Sequence, residues 1–157
     1  MPTPMSIGPA LTIRGAVAAD VPAIERIVHD AYVKYVDRIG KQPGPMLDDY
    51  AARVAAGEVS VCVAGEDIAG ILVLETLADH LLLDNIAVAP GWQGRGVGRL
   101  LLEFADAAAR RAGHAELRLY THALMHENIA LYARLGWQEY ARGEQAGFQR
   151  VFMRKPV

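Results

Sequence analysis

Residues Ile86-Ala87-Val88-Ala89-Pro90-Gly91-Trp92-Gln93-Gly94-Arg95-Gly96-Val97-Gly98-Arg99 run from an apolar strand through a glycine-rich turn into a Leu/Ala-rich helix. Only a fold that sets a strand end directly against a helix start can hold such a segment. Its glycines let the backbone curl so that successive N–H groups converge, and the positive end of the helix dipole adds to their pull on an anion. The junction therefore calls for a phosphate-bearing ligand.

Spacing separates three phosphate loops of this kind. A dinucleotide fingerprint needs a third glycine or alanine where Arg99 stands, and Glu116, placed for a ribose-binding acid, begins a strand rather than ending one. A nucleoside-triphosphate loop needs Gly-Lys-Ser/Thr, which is absent. What remains is Gln93-x-x-Gly96-x-Gly98. Downstream, a helix carrying Leu101, Phe104, Ala105 and Ala108 ends with Arg110, Arg111 and Gly113, and Glu116 to Thr121 alternates as a half-buried strand. A second helix is expected to open near Asn128, a good capping residue, and to close at Gly136. Asn128 and Tyr132 share its face. In Gln93-x-x-Gly96-x-Gly98 and in Asn128-Ile129-Ala130-Leu131-Tyr132-Ala133-Arg134-Leu135-Gly136-Trp137 the chain resembles the GCN5-related N-acetyltransferases.

The amino-terminal half is compatible with that resemblance. Thr12-Ile13-Arg14 reads as a strand, and Asp20 with Pro22 as a helix start whose stripe is Ile24, Ile27, Val28, Ala31 and Tyr35. A shorter helix runs from about Asp48 to Gly57. Val59, Val61 and Val63 alternate with Ser60, Cys62 and Ala64, and Gly65-Glu66-Asp67 turns the chain into Ile68 to Thr76. His80 to Val88 feeds the glycine loop, and final strands fall around Gln138 to Arg142 and Gln149 to Lys155. The resemblance covers residues 11–155 as one domain, behind a short extension over residues 1–10. It implies a mixed α/β fold with a central, mostly antiparallel sheet and about four flanking helices.

At 157 residues the chain is of single-domain size. No apolar run approaches the ~20 residues needed to cross a bilayer, and Met1 to Pro9 lacks the form of a secretion signal. A soluble cytoplasmic protein is expected. The formal charge of -2 and scattered arginines offer nothing to nucleic acid. One cysteine excludes an internal disulfide framework and suits a reducing compartment.

The resemblance implies acetyl-CoA as co-substrate and direct transfer of its acetyl group to a primary amine of a small molecule or peptide. It places Ile86, Ala87, Val88, Gln93, Gly94, Arg95, Gly96, Val97, Gly98, Arg99, Asn128 and Tyr132 at the cofactor. Tyr132 would donate the proton that the departing thiolate needs, and backbone N–H groups of Asn85 to Val88 would meet the oxyanion and pair with the pantetheine arm. The general base stays open among Asp84, Glu75, His80 and His122, with Asp84 carried forward as the catalytic candidate. Substrate contacts are expected from the irregular segment between the first helices, with Tyr35 and Tyr50 as walls and Asp49 or Asp79 pairing an amine's charge, and from Glu75 and His122. His122-x-x-x-His126 lies across a loop without a third ligand, so no metal is expected. Cys62 reads as a small buried strand residue, and Arg95 and Arg99 as phosphate contacts or solvated arginines. A non-catalytic acyl-CoA-binding module is the alternative. The last two strands also leave room for a homodimer, since an uncovered edge invites pairing.

Overall fold

The computed structural model describes residues 10–157. Expectations for Met1 to Pro9, the secretion-signal reading and nearly all of the short extension, lie outside the described residues. Along the chain run β1 (Leu11–Gly15), α1 (Val21–Tyr32), α2 (Tyr35–Ile39), α3 (Tyr50–Ala55), β2 (Val59–Ala64), β3 (Asp67–Thr76), β4 (Leu81–Val88), α4 (Val97–Arg111), β5 (Glu116–His122), α5 (His126–Arg134), β6 (Gln138–Gln145) and β7 (Phe148–Pro156). The strands form one sheet in the order β1-β2-β3-β4-β5-β7-β6. Every pairing is antiparallel except β4 with β5, which α4 joins as a crossover.

Two apolar layers hold the helices to the sheet. The period of two along β3 sends Ile71 and Val73 to one face, where they meet Ile24, Ile27 and Val28 of α1. Leu72 goes to the other face and meets Val97, Leu101 and Ala105 of α4. Gly70 allows α4 to lie this close. A Cβ there would stand 2.8 Å from Val97 Cγ1 and 3.1 Å from Leu101 Cδ1. Among the described residues, no helix is long and apolar enough to cross a membrane.

Several local expectations change. Asp20 does not cap α1 with its side chain; its carboxylate instead binds Arg14 at 2.7 Å and accepts the Val17 N–H at 2.8 Å, tying β1 to the start of α1. The stripe from Ile24 does not reach Tyr35 on one helix, because the Val36 N–H bonds to Val33 O and tightens the chain into the separate α2. That break accounts for five α-helices where about four are expected. The helix after the proline loop begins at Tyr50, capped by the Asp49 carboxylate on the Ala52 N–H at 3.0 Å. A shift of register between Cys62 and Val63 ends the alternation of β2, burying Cys62 and Ala64 and leaving Val63 half-buried.

Candidate active site

β4 carries an extra residue at the centre of the sheet. Val73 pairs with Asn85 and Leu74 with Leu83, so Asp84 is bulged. On the opposite side, β4 pairs with β5 only over Leu81–Leu83 with Leu117–Leu119. From Asp84 onward the two strands part, and a cleft opens through the sheet.

One mouth of this opening is a groove of about 570 Å³. Ile86, Ala87, Val88, Gln93, Gly98 and Arg99 line one wall, and Asn128, Leu131, Tyr132 and Leu135 of α5 line the other. The groove explains the exposed Leu131 and Leu135, which form its apolar side. At its end, Gly94 (φ 77°) and Gly96 (φ 86°) take left-handed backbone that other residues resist, and α4 begins at Val97 without a side-chain cap. The first amides of α4 have no intrahelical acceptor before Leu100 bonds to Gly96 O. An anion is the natural partner for them. Val97 itself is buried in the core, while Gly94, Arg95 and Arg99 are exposed. Arg95 lies over the Trp92 ring and Arg99 lies beside Glu103.

The other mouth is a chamber of about 50 Å³. Its walls include Pro43, Pro45, Asp84, Tyr120, His122, Phe148 and Arg150. Tyr32, Ile86, Asn128 and Tyr132 line both spaces, which places them at the junction. Tyr132 is 8% exposed, and its ring packs edge-on against Trp137 with centroids 5.8 Å apart. Burial raises its pKa well above the ordinary tyrosine value, so the phenol keeps its proton at neutral pH.

Asn128 reaches the junction by another route than expected. Met125 takes the cap position, accepting from the Asn128 and Ile129 N–H groups, and places Asn128 inside the first turn of α5. Its amide touches Met125 Sδ at 3.6 Å. Tyr35 lines the groove rather than the chamber and donates to Glu127 at 3.1 Å, with burial pushing its pKa up to about 12.

Asp84 accepts from the Tyr120 hydroxyl at 2.8 Å and from Arg53 at 3.0 Å. Arg53 also holds Asp48 at 3.0 Å, Glu58 at 3.3 Å and Glu75 at 3.6 Å. Glu75 thus joins this network outside the chamber, and Asp49 is occupied as a cap. Tyr50 stands behind the wall: it donates to Pro45 O at 2.5 Å and accepts from Asn85, whose Oδ1 accepts from Tyr32 at 2.7 Å. That buried chain fixes β4 against α1 and α3. His122 faces the chamber, with its pKa lowered first by burial and then by Lys41 and Arg150. His80 binds Asp79 at 2.6 Å, away from the junction. Among the described residues, no group of three His, Cys, Asp or Glu side chains is arranged to hold a metal.

Sequence reading missed Tyr120, Phe148 and Arg150. Tyr120 stands in the polar phase of β5, which marks it as pointing away from the core. The other two need the β5–β7 register, His122 opposite Arg150, which no local pattern carries.

The acetyltransferase (GNAT) domain model matches residues 55–139, more than half of the chain. The chain belongs to this family. A curated relative, the [ribosomal protein bS18]-alanine N-acetyltransferase of Salmonella typhimurium, is 37% identical over 76 residues, 48% of this chain and 51% of that protein. The chain thus spans about half the length of the curated relatives it matches first. Among solved structures, a PaiA N-acetyltransferase from Thermoplasma acidophilum in complex with coenzyme A superposes with a TM-score of 0.77 at 15% identity, over 94% of this chain and 99% of that one. The ribosomal-protein-S18-alanine N-acetyltransferase from Escherichia coli gives 0.72 at 25% identity, over 94% of both chains. The GNAT fold is common to all three.

Proposed function

We propose that this protein is an acetyl-CoA-dependent N-acetyltransferase that passes an acetyl group directly to a primary amine. The observation that carries the reading is Tyr132, a protonated phenol where the groove and the chamber meet. The residues present suit coenzyme A. Uncapped amides at Gly96 to Arg99 fit a pyrophosphate, the unpaired edge of β4 fits an extended amide-bearing arm, and Leu131 and Leu135 fit its methylenes.

Bound acetyl-CoA would supply an activated acyl group as a thioester. This chain's residues then have three tasks. Backbone amides of Asn85 to Val88 stabilise the carbonyl oxygen as it gains charge; Tyr132 gives its proton to the departing sulfur and recovers one from solvent; the chamber positions the amine. The amine's surplus proton leaves through Asp84 and Tyr120 or through water. With Asp84 held by Arg53 and Tyr120, the carboxylate relays that proton or orients the water that does. A pure binding module has no use for the Tyr132 hydroxyl.

The acceptor is a small-molecule or peptide amine. A cytoplasmic setting, which the single buried Cys62 suits, belongs to the same reading. So does a homodimer through β6, the exposed edge strand. Sedimentation at the mass of one chain would remove the dimer.

The first test is thermal unfolding with acetyl-CoA, CoA, NAD and ATP in parallel. A ligand at ~100 times its dissociation constant adds about 2.7 kcal/mol of stability, so selective shifts with CoA and acetyl-CoA are expected. Tyr132→Phe should then lower kcat by about 10²-fold, the low end for a general acid, with CoA affinity unchanged. Equal turnover by parent and variant across pH would remove Tyr132 from the mechanism.

A further inference from the structure

Arg150 lines the chamber, and among the described residues it has no counter-charge. Its guanidinium lies 4.0 Å from the centroid of Tyr120 and 5.7 Å from that of Phe148, and Nη1 donates to Gln145 Oε1 at 2.7 Å. Among the described residues it forms no ion pair with a carboxylate. The acidic groups that share its surroundings, Asp48 and Asp84, are already bound by Arg53. Among the described residues, its Nε and Nη2 have no hydrogen-bond acceptor. A Cβ on Gly44 would stand 3.7 Å from Nη2, so a longer side chain there would cover the edge that glycine leaves open.

A second cation stands at the same end. Lys41 Nζ lies 4.2 Å from the Phe148 centroid, donates to Gly147 O at 2.5 Å and is likewise without a carboxylate. These two charges also lower the His122 pKa, as expected of cations close to the ring. A guanidinium stacked on a ring with its Nε–Nη2 edge open presents a fork that matches a planar anion with two oxygens.

We propose that the acceptor is an amino acid, its carboxylate bound by the Nε–Nη2 edge of Arg150 with Lys41 nearby, and its amine directed toward Tyr132. The chamber is then polarised along its length: the cationic end selects the acid, and the junction end receives the amine. Its volume of about 50 Å³ favours a compact acceptor over a bulky one. Arg150 is a specificity residue in this scheme, with no part in proton transfer.

This inference rests on the acetyl-transfer reading, and the experiment keeps the two apart. Calorimetry on CoA-saturated protein would use glycine, β-alanine, 4-aminobutyrate and 6-aminohexanoate, each beside its carboxamide, with inorganic phosphate as a further probe. At least one acid should bind tenfold or more tightly than its amide. Arg150→Gln should abolish that preference while binding CoA as the parent does, and Arg150→Lys, which keeps charge and loses the fork, should retain part of it. No binding by any acid, equal binding of acids and amides, stronger binding of phosphate, or an undiminished preference in Arg150→Gln would each overturn the proposal. Failure of the parent to bind CoA would instead strike the transfer reading and carry this inference down with it.

Discussion

His122 shows how one side chain is assigned by its partners. Its Nδ1 accepts the Leu124 N–H at 3.0 Å, so the neutral ring carries its proton on Nε2 and has no free lone pair to offer an amine. Burial and the charges of Lys41 and Arg150 lower its pKa below the ordinary 6.5. The unfolded chain therefore takes up this proton more readily than the folded one. The associated stability is complete above pH 6.5 and is lost as pH falls through the depressed folded value. Thermal unfolding between pH 5 and 7.5 should show the parent losing Tm toward the acid side more steeply than His122→Gln. Identical slopes would mean that His122 is not desolvated as the geometry requires. None of this was visible in the sequence, where His122 is one of several bases near a strand end. The place of Tyr132 on α5 was legible, because its neighbours Asn128 and Leu135-Gly136-Trp137 lie within one helix and its exit.

At the scale of elements, the two loop glycines do different work. Gly96 sits at φ 86°, where a Cβ meets the following carbonyl and costs about 1–2 kcal/mol. Gly98 has ordinary helical backbone, and a Cβ there would meet only Val88 Cγ2 at 3.8 Å. Gly96→Ala should therefore lose about 1–2 kcal/mol in urea unfolding and weaken CoA binding by distorting the loop. Gly98→Ala should hold or gain up to about 1 kcal/mol, since alanine favours the helix. Equal losses in both variants would contradict a loop built on backbone conformation. The loop and α4 were legible because glycine spacing and helical periodicity act over neighbours in sequence. The capping of α5 was misread for a related reason: Asn128 has capping chemistry, yet the turn from His122 to Met125 starts the helix earlier. Gly70 gave no signal either, since its role is defined by α4 lying across it.

For the whole molecule, the site is created by a pairing that stops. The order of strands along the chain was readable, and the exit of β4 into the loop with it. The bulge at Asp84 and the parting of β4 from β5 after Leu83 depend on registers set by β3, β5 and β7 together. Among the described residues, the edge of β4 facing the opening lacks a strand partner along Asn85 to Val88, although its other edge is paired with β3. A bound pantetheine arm would supply the missing acceptors and donors. Amide hydrogen exchange should then slow over residues 85–88 and over the Gly94 to Arg99 loop when CoA is added. β1 and β2, remote from the opening, should exchange at unchanged rates. A uniform slowing across the chain would indicate only global stabilisation, whereas slowing confined to the loop would leave the phosphate site standing and remove β4 as the seat of the pantetheine arm.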